Sequence, residues 1–104
     1  MEAALRAIAE PRRREILRLV RDSELSAGEI ASHFDVTRSA VSQHLRVLKD
    51  AGLLMERRNG TRRIYRIRPD GLAEIRDFID GLWDIKLAAL KRAAEAEERR
   101  ARAT

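Results

Sequence analysis

Ser39, Ser42, Gln43 and Arg46 stand close together near the middle of the chain, just after Thr37 and Arg38. Hydroxyl, amide and guanidinium side chains of this size suit base edges in a DNA major groove, where glutamine pairs bidentately with adenine and arginine with guanine. His44 lies in the same stretch, and serine near histidine raises the question of nucleophilic catalysis. On a helix neither Ser39 nor Ser42 is three or four residues from His44, so no Ser-His pair forms locally. Catalysis would further need a nucleophile, a base and a pocket in one place, and the chain is read as no enzyme. It contains no cysteine and only two histidines. Asp77, Asp80 and Asp84, with no histidine after His44, make a poor site for a borderline-soft metal. No metal or cofactor is expected.

Charge singles out the same region. From Thr37 to Arg68 nine arginines and lysines face only Asp50 and Glu56, a local charge of +7 in a chain whose net charge is +5. A surplus confined to one segment is the electrostatic footprint of a polyanion-binding surface. A solvated charged face is the bland alternative, and local structure has to decide.

The elements that must position these residues follow from periodicity and punctuation. Ala3, Ala4, Leu5, Ile8 and Ala9 form a short helical stripe that stops at Glu10-Pro11, because a residue before proline is pushed out of the helical region. Pro11 opens a second helix carrying Ile16, Leu17, Leu19 and Val20. Ser26-Ala27-Gly28-Glu29 is a capping box that starts a third helix at about Ala27, with Ile30, Ala31 and Phe34 inward. A three-residue turn follows, in which Asp35 is expected to take a positive φ in place of glycine. Thr37 caps a fourth helix running to Asp50 and closed by Gly52. Its Val41, His44, Leu45 and Leu48 share the core face, and Ser39, Gln43 and Arg46 project opposite, with Ser42 on the flank.

Leu53–Arg58 and Arg62–Arg68 are β-compatible and flank Asn59-Gly60, a type I′ hairpin signal. On the second strand Tyr65 and Ile67 are expected to cover the core, with Arg62, Ile64, Arg66 and Arg68 on the other face. Arg57, Arg58, Arg62 and Arg63 stand beside the hairpin tip, placed to grip DNA backbone or enter a minor groove. A last helix spans about 70–96 with Leu72, Ile75, Phe78, Ile79, Leu82, Trp83, Leu87 and Leu90. That length, roughly 40 Å at 1.5 Å per residue, exceeds what so small a domain covers alone, so part of the stripe needs a second copy.

The 104 residues suit one domain, 1–104, with the helix-turn-helix at about 27–50 and the wing at about 54–68. With 44% hydrophobic and 38% charged residues, the composition fits a soluble globular chain and no membrane span. Aromatic residues at 4% are too few for single-strand stacking platforms. The N-terminus lacks a signal-peptide apolar region, so the expected location is cytoplasmic.

Ala7-Ile8-Ala9-Glu10-Pro11-Arg12-Arg13-Arg14-Glu15-Ile16-Leu17, Glu29-Ile30-Ala31, Ser39-Ala40-Val41-Ser42-Gln43-His44-Leu45, Leu48-Lys49-Asp50-Ala51-Gly52-Leu53 and Arg58-Asn59-Gly60 through Tyr65-Arg66-Ile67 resemble the ArsR/SmtB winged-helix repressors of prokaryotes. The resemblance is ungapped and covers about residues 5–68. It implies a homodimer formed through the first and last helices, operator binding by the fourth helix and wing, and repression relieved by an effector. Founding members sense metals through two cysteines in a string like E-L-C-V-C-D, where this chain has Glu24-Leu25-Ser26-Ala27-Gly28-Glu29. Ser26 and Gly28 thus replace both thiolates. The segment Phe78–Leu87 is similar to that of members without metal ligands, some of which repress their own genes.

The sequence therefore predicts a mainly α fold with a small β-hairpin wing, a winged helix-turn-helix dimerising through its terminal helices. The expected function is repression by a homodimer that binds double-stranded DNA at a pseudo-palindromic operator, without response to metal and with any effector unknown. Thr37, Arg38, Ser39, Ser42, Gln43, Arg46, Arg57, Arg58, Arg62 and Arg63 are the expected DNA contacts. Leu5, Ile8, Ile79, Leu82, Trp83, Leu87 and Leu90 form the expected dimer interface. The alternative is a winged helix that binds an acidic protein partner and has no sequence-specific affinity for DNA.

Overall fold

In the computed structural model, which describes residues 1–103, the chain opens with two short helices, α1 (Glu2–Ile8) and α2 (Pro11–Leu19). Glu10 is extended, with φ −90° and ψ 126°, and its carboxylate accepts the Arg13 N–H at 3.0 Å as the N-cap of α2. The arginines after Pro11 also finish α1. Arg13 donates from Nε to the Ala7 carbonyl at 2.6 Å, and Arg14 donates from Nη1 to those of Ile8 and Ala9 at 2.8 and 3.0 Å. The carbonyls that a helix C-terminus leaves without partners are thus met from the next helix, and no glycine cap is needed.

A two-residue strand, β1 (Leu25–Ser26), precedes α3 (Ala27–Ala31). The capping box forms as the sequence predicts: Ser26 Oγ accepts the Glu29 N–H and Glu29 Oε1 accepts the Ser26 N–H, both at 3.1 Å. The connection to α4 (Arg38–Asp50) is longer than the expected three-residue turn and runs from Ser32 to Thr37. Among the described residues no non-glycine has a positive φ, so Asp35 does not take the left-handed conformation expected of it. The longer path spreads the reversal over several residues, and partly buried Phe34 and Val36 anchor it to the core.

Thr37 Oγ1 accepts the Ala40 N–H at 3.1 Å and starts α4. Its far end is a Schellman motif. Gly52 sits at φ 79°, the Leu53 N–H reaches the Leu48 carbonyl at 2.9 Å, and the Gly52 N–H reaches that of Lys49 at 3.0 Å.

The hairpin consists of β2 (Leu54–Asn59) and β3 (Arg62–Ile67), and β1 adds a third antiparallel strand, giving the order β1-β3-β2. Leu25 pairs with Tyr65 and Ser26 with Ile64. The sequence reading has no third strand there, because two residues ending in a helix cap carry no strand period. The turn also differs. Asn59 pairs with Arg62, so the loop is Gly60-Thr61, and only Gly60 has a positive φ, 66°. Glycine at the first central position is the pattern of a type II′ turn rather than the type I′ expected from Asn59-Gly60.

Ile64 is buried although it faces away from the core formed with Tyr65. Arg57 lies directly across from it in the sheet, and Glu24 and Arg66 flank the same patch, so arginine stems cover an aliphatic side chain.

The core joins Ile16, Val20, Ile30, Val41, Leu45, Leu48, Leu53, Leu54, Tyr65 and Ile75, with Leu5, Ile8 and Leu72 packed partly against it. Helix α5 (Pro69–Ala103) continues past the expected end near residue 96 and, at 1.5 Å per residue, is about 50 Å long. Glu97–Arg100 and Glu98–Arg102 pairs along an alanine-rich surface extend it. At its start Gly71 lies against the Gly52 carbonyl, and a Cβ on Gly71 would overlap that oxygen. Among the described residues no helix is long and apolar enough to cross a membrane.

Candidate nucleic-acid interface

Helix α4 buries Val41, Leu45 and Leu48 and exposes Arg38, Ser39, Gln43 and Arg46, with Ser42 half-buried. The 3.6-residue period produces this division, since the apolar positions repeat at three and four. Thr37 is also exposed, although its hydroxyl is engaged as the helix cap. His44, expected on the core face, lies at its edge. Its Nδ1 is 4.0 Å from a Glu10 carboxylate oxygen and 3.5 Å from Arg13 Nη1, so it packs α4 onto the start of α2. Partial desolvation opposes ionisation of Glu10, but the Arg13 N–H and nearby His44 outweigh it and hold that carboxyl below the ordinary range.

The outer face of α4 forms one wall of a groove. Ser39, Ser42, Gln43 and Arg46 line that wall, Arg58 and Arg63 line the other, and Glu56 and Tyr65 lie between them. Arg58 and Arg63 are paired across the hairpin, as are Glu56 and Tyr65. Alternation along a strand therefore puts all four on the face turned toward α4. Tyr65 donates its hydroxyl to Glu56 Oε2 at 3.0 Å, and Lys49 Nζ lies 3.5 Å from the same oxygen. Burial, followed by the Glu56 hydrogen bond and charge, raises the Tyr65 pKa, so the phenol stays protonated and keeps donating.

The four wing arginines divide between two faces. Arg57 and Arg62 lie on the strand face opposite the groove, each tied to a carboxylate. Arg57 Nη2 is 2.6 Å from Glu24 Oε2, and Arg62 Nη2 is 2.8 Å from Glu29 Oε1. The Arg57 hydrogen bond keeps Glu24 below the ordinary carboxylate range. The Ser26 backbone N–H and hydroxyl, with Arg62 behind them, do so for Glu29. Among the described residues no carboxylate pairs with Arg38, Arg46, Arg58 or Arg63. Three of these unpaired guanidiniums, Arg46, Arg58 and Arg63, line the groove beside its hydrogen-bonding side chains and suit a ligand with closely spaced negative charge and polar edges.

Sequence reasoning passed over Lys49, Glu56 and Tyr65 as groove residues, and Glu24 and Glu29 as arginine partners. The hairpin register contained the first signal, because strands joined at Gly60-Thr61 bring Glu56 opposite Tyr65. The second needed β1, without which Glu24 has no place beside the wing.

Away from the groove, α5 presents Phe78, Ile79, Leu82, Trp83, Leu87 and Leu90 at 46 to 59% exposure. Leu5 and Ile8 of α1 are half-buried against the core. No three His, Cys, Asp or Glu side chains among the described residues are grouped to hold a metal ion.

Comparison with known proteins agrees with this geometry. The family model for bacterial regulatory proteins of the arsR family matches residues 10–55. An HTH-type transcriptional regulator of Mycobacterium tuberculosis is 40% identical over 96 residues, covering 92% of this chain and 90% of its own. The transcriptional repressor SdpR of Bacillus subtilis is 38% identical over 60 residues, 58% of this chain and 67% of its own. The solution NMR structure of a homodimeric winged helix-turn-helix DNA-binding domain from Mycobacterium bovis, a possible ArsR-family regulator, superimposes with a TM-score of 0.65 at 31% identity. It covers 80% of this chain and 77% of that one. With its helix-turn-helix, its wing and these relatives, the chain belongs to the arsR family of bacterial transcriptional regulators.

Proposed function

We propose that this chain is a homodimeric repressor that reads a pseudo-palindromic operator and is not gated by metal. The observation that carries the reading is the groove between α4 and the wing, where Gln43 and Arg46 stand opposite Arg58 and Arg63, whose charges no carboxylate among the described residues pairs. In this reading Ser39, Ser42, Gln43 and Arg46 meet base edges, Thr37 and Arg38 meet phosphate at the start of α4, and the wing arginines grip backbone. The homodimeric Mycobacterium bovis domain and the exposed stripe of α5 support a dimer through Ile79, Leu82, Trp83, Leu87 and Leu90, with Leu5 and Ile8 alongside. SdpR, a repressor, supports the sign of regulation.

The positions of the two thiolates implied by the family resemblance do not fit a metal. Ser26 Oγ is engaged as a helix cap, and Gly28 has no side chain. The Arg38 guanidinium lies 3.3 Å from where a Gly28 Cβ would be, so a cation there would meet a positive charge.

Selection of duplexes from a random pool tests the proposal. The expected product is a pseudo-palindrome with half-site centres about 34 Å apart or a multiple of that. Salt-dependent binding that enriches no sequence would refute operator reading and favour a basic surface for an acidic protein. Release from the selected operator by stoichiometric zinc, cadmium or arsenite would refute metal independence.

A further inference from the structure

Glu29 Oε1 has two donors. It accepts the Ser26 N–H at 3.1 Å as half of the capping box and Arg62 Nη2 at 2.8 Å from the wing. The first bond fixes the carboxylate, so the second is made to a group already in place, whereas most exposed ion pairs must immobilise both side chains. The neighbourhood is otherwise cationic. Arg38, Arg62 and Arg63 line one concave surface over Ala27 and Gly28, and neither Arg38 nor Arg63 has an ion-pair partner among the described residues.

We propose that Glu29 is an internal competitor for DNA phosphate at Arg62, a carboxylate that occupies the guanidinium fork until a phosphodiester displaces it. The proposal rests on the DNA-binding reading above and adds a regulation of that same surface. Carboxylate and phosphate present similar paired acceptor oxygens to arginine, so one substitutes for the other. Duplex docked on the wing must break the Glu29–Arg62 bond and bring a phosphate beside a fixed negative charge. Glu29 therefore lowers affinity for every duplex, whatever its sequence, and limits the hold of non-operator DNA.

The test is a salt titration of the full chain on a random-sequence duplex, read by fluorescence anisotropy. Glu29→Gln keeps a side-chain oxygen for the Ser26 N–H and removes the charge. The expected result is about two- to fivefold tighter binding, the range of an exposed ion pair. The salt slope should steepen by no more than about 0.9, because the carboxylate displaced in the wild type takes up a counterion that the neutral amide does not. In an Arg62→Ala background the tightening by Glu29→Gln should fall to less than half its size in the presence of Arg62, because only repulsion between Glu29 and phosphate remains. Weaker or unchanged binding by E29Q overturns the proposal, as does a gain of half or more when Arg62 is absent, which would make Glu29 a bulk charge. A wild-type protein that binds no duplex at any salt overturns the DNA-binding reading and this proposal together. Wild-type binding with no change in E29Q overturns the proposal alone.

Discussion

Replacing Leu82 by lysine tests whether α5 joins two copies of the chain. Leu82 is 55% exposed and lies outside the core, so about half its surface is available to a partner. Burying a whole leucine stabilises by about 1.5–3 kcal/mol, which leaves about 0.7–1.5 kcal/mol for the exposed half. A twofold interface contains the residue twice, so the dimer loses about 1.5–3 kcal/mol from apolar burial alone. At 1.4 kcal/mol per decade that is about a ten- to hundredfold rise in the dimer Kd, before the cost of placing two ammonium groups in the contact. Sedimentation equilibrium over a concentration series measures the shift. The selected pseudo-palindrome should lose its advantage over a single half-site in parallel. A Leu82→Lys protein that dimerises as tightly as the wild type would show that this stripe is not the contact.

Gln43→Ala should cost about 1–3 kcal/mol on the preferred operator and relax one base position per half-site with little change in salt slope; uniform weakening across an operator library would remove Gln43 from base reading. Gly71→Ala places a methyl where the Gly52 carbonyl already stands, and should destabilise by about 1–3 kcal/mol in urea unfolding, with a neutral result refuting the close approach. Glu10, Glu24 and Glu29 are all more acidic folded than in the open chain, so each contributes fully above the ordinary glutamate range and loses that contribution as pH falls through its folded value. The melting temperature should accordingly hold from neutral pH to about 5.5 and fall below about 4.5, less steeply in Glu24→Gln or Glu29→Gln variants; a melting temperature that rises on acidification contradicts the sign.

Most of the helical frame could be read from local chemistry, because caps and periods act over a few residues. Ser26 and Glu29, Thr37, Pro11 and Gly52 all do in space what their types announce, and α4 presents the face its period requires. The misreadings fall where the deciding partner is distant in sequence. Ile64 looks solvent-facing by alternation, and only β1 beside it and Arg57 across from it explain its burial. Asn59-Gly60 is a strong hairpin signal, yet pairing of Asn59 with Arg62 moves the loop by one residue. The wing arginines show the same limit at the candidate site. Composition counts Arg57, Arg58, Arg62 and Arg63 alike, whereas strand parity sends two toward the groove and two toward Glu24 and Glu29. Helix α5 runs beyond its apolar stripe because its Ala/Glu/Arg tail has no apolar period to mark it, yet carries ion pairs that continue the helix.

The meeting of Gly52 and Gly71 has a further consequence for how such a protein could change its target. Two turns of backbone touch there with no side chain between them, one ending α4 and the other starting the α5 helix that would join two copies. Side chains on the outer face of α4 can be exchanged without disturbing that hinge, so if α4 reads bases as proposed, the letters read within a half-site would be free to drift. The distance between half-sites would not be, since a side chain at Gly71 would overlap the Gly52 carbonyl and force α5 or the end of α4 to shift. On the proposed reading, vocabulary and spacing would be under separate control, the first in replaceable side chains and the second in a joint that accepts only hydrogen.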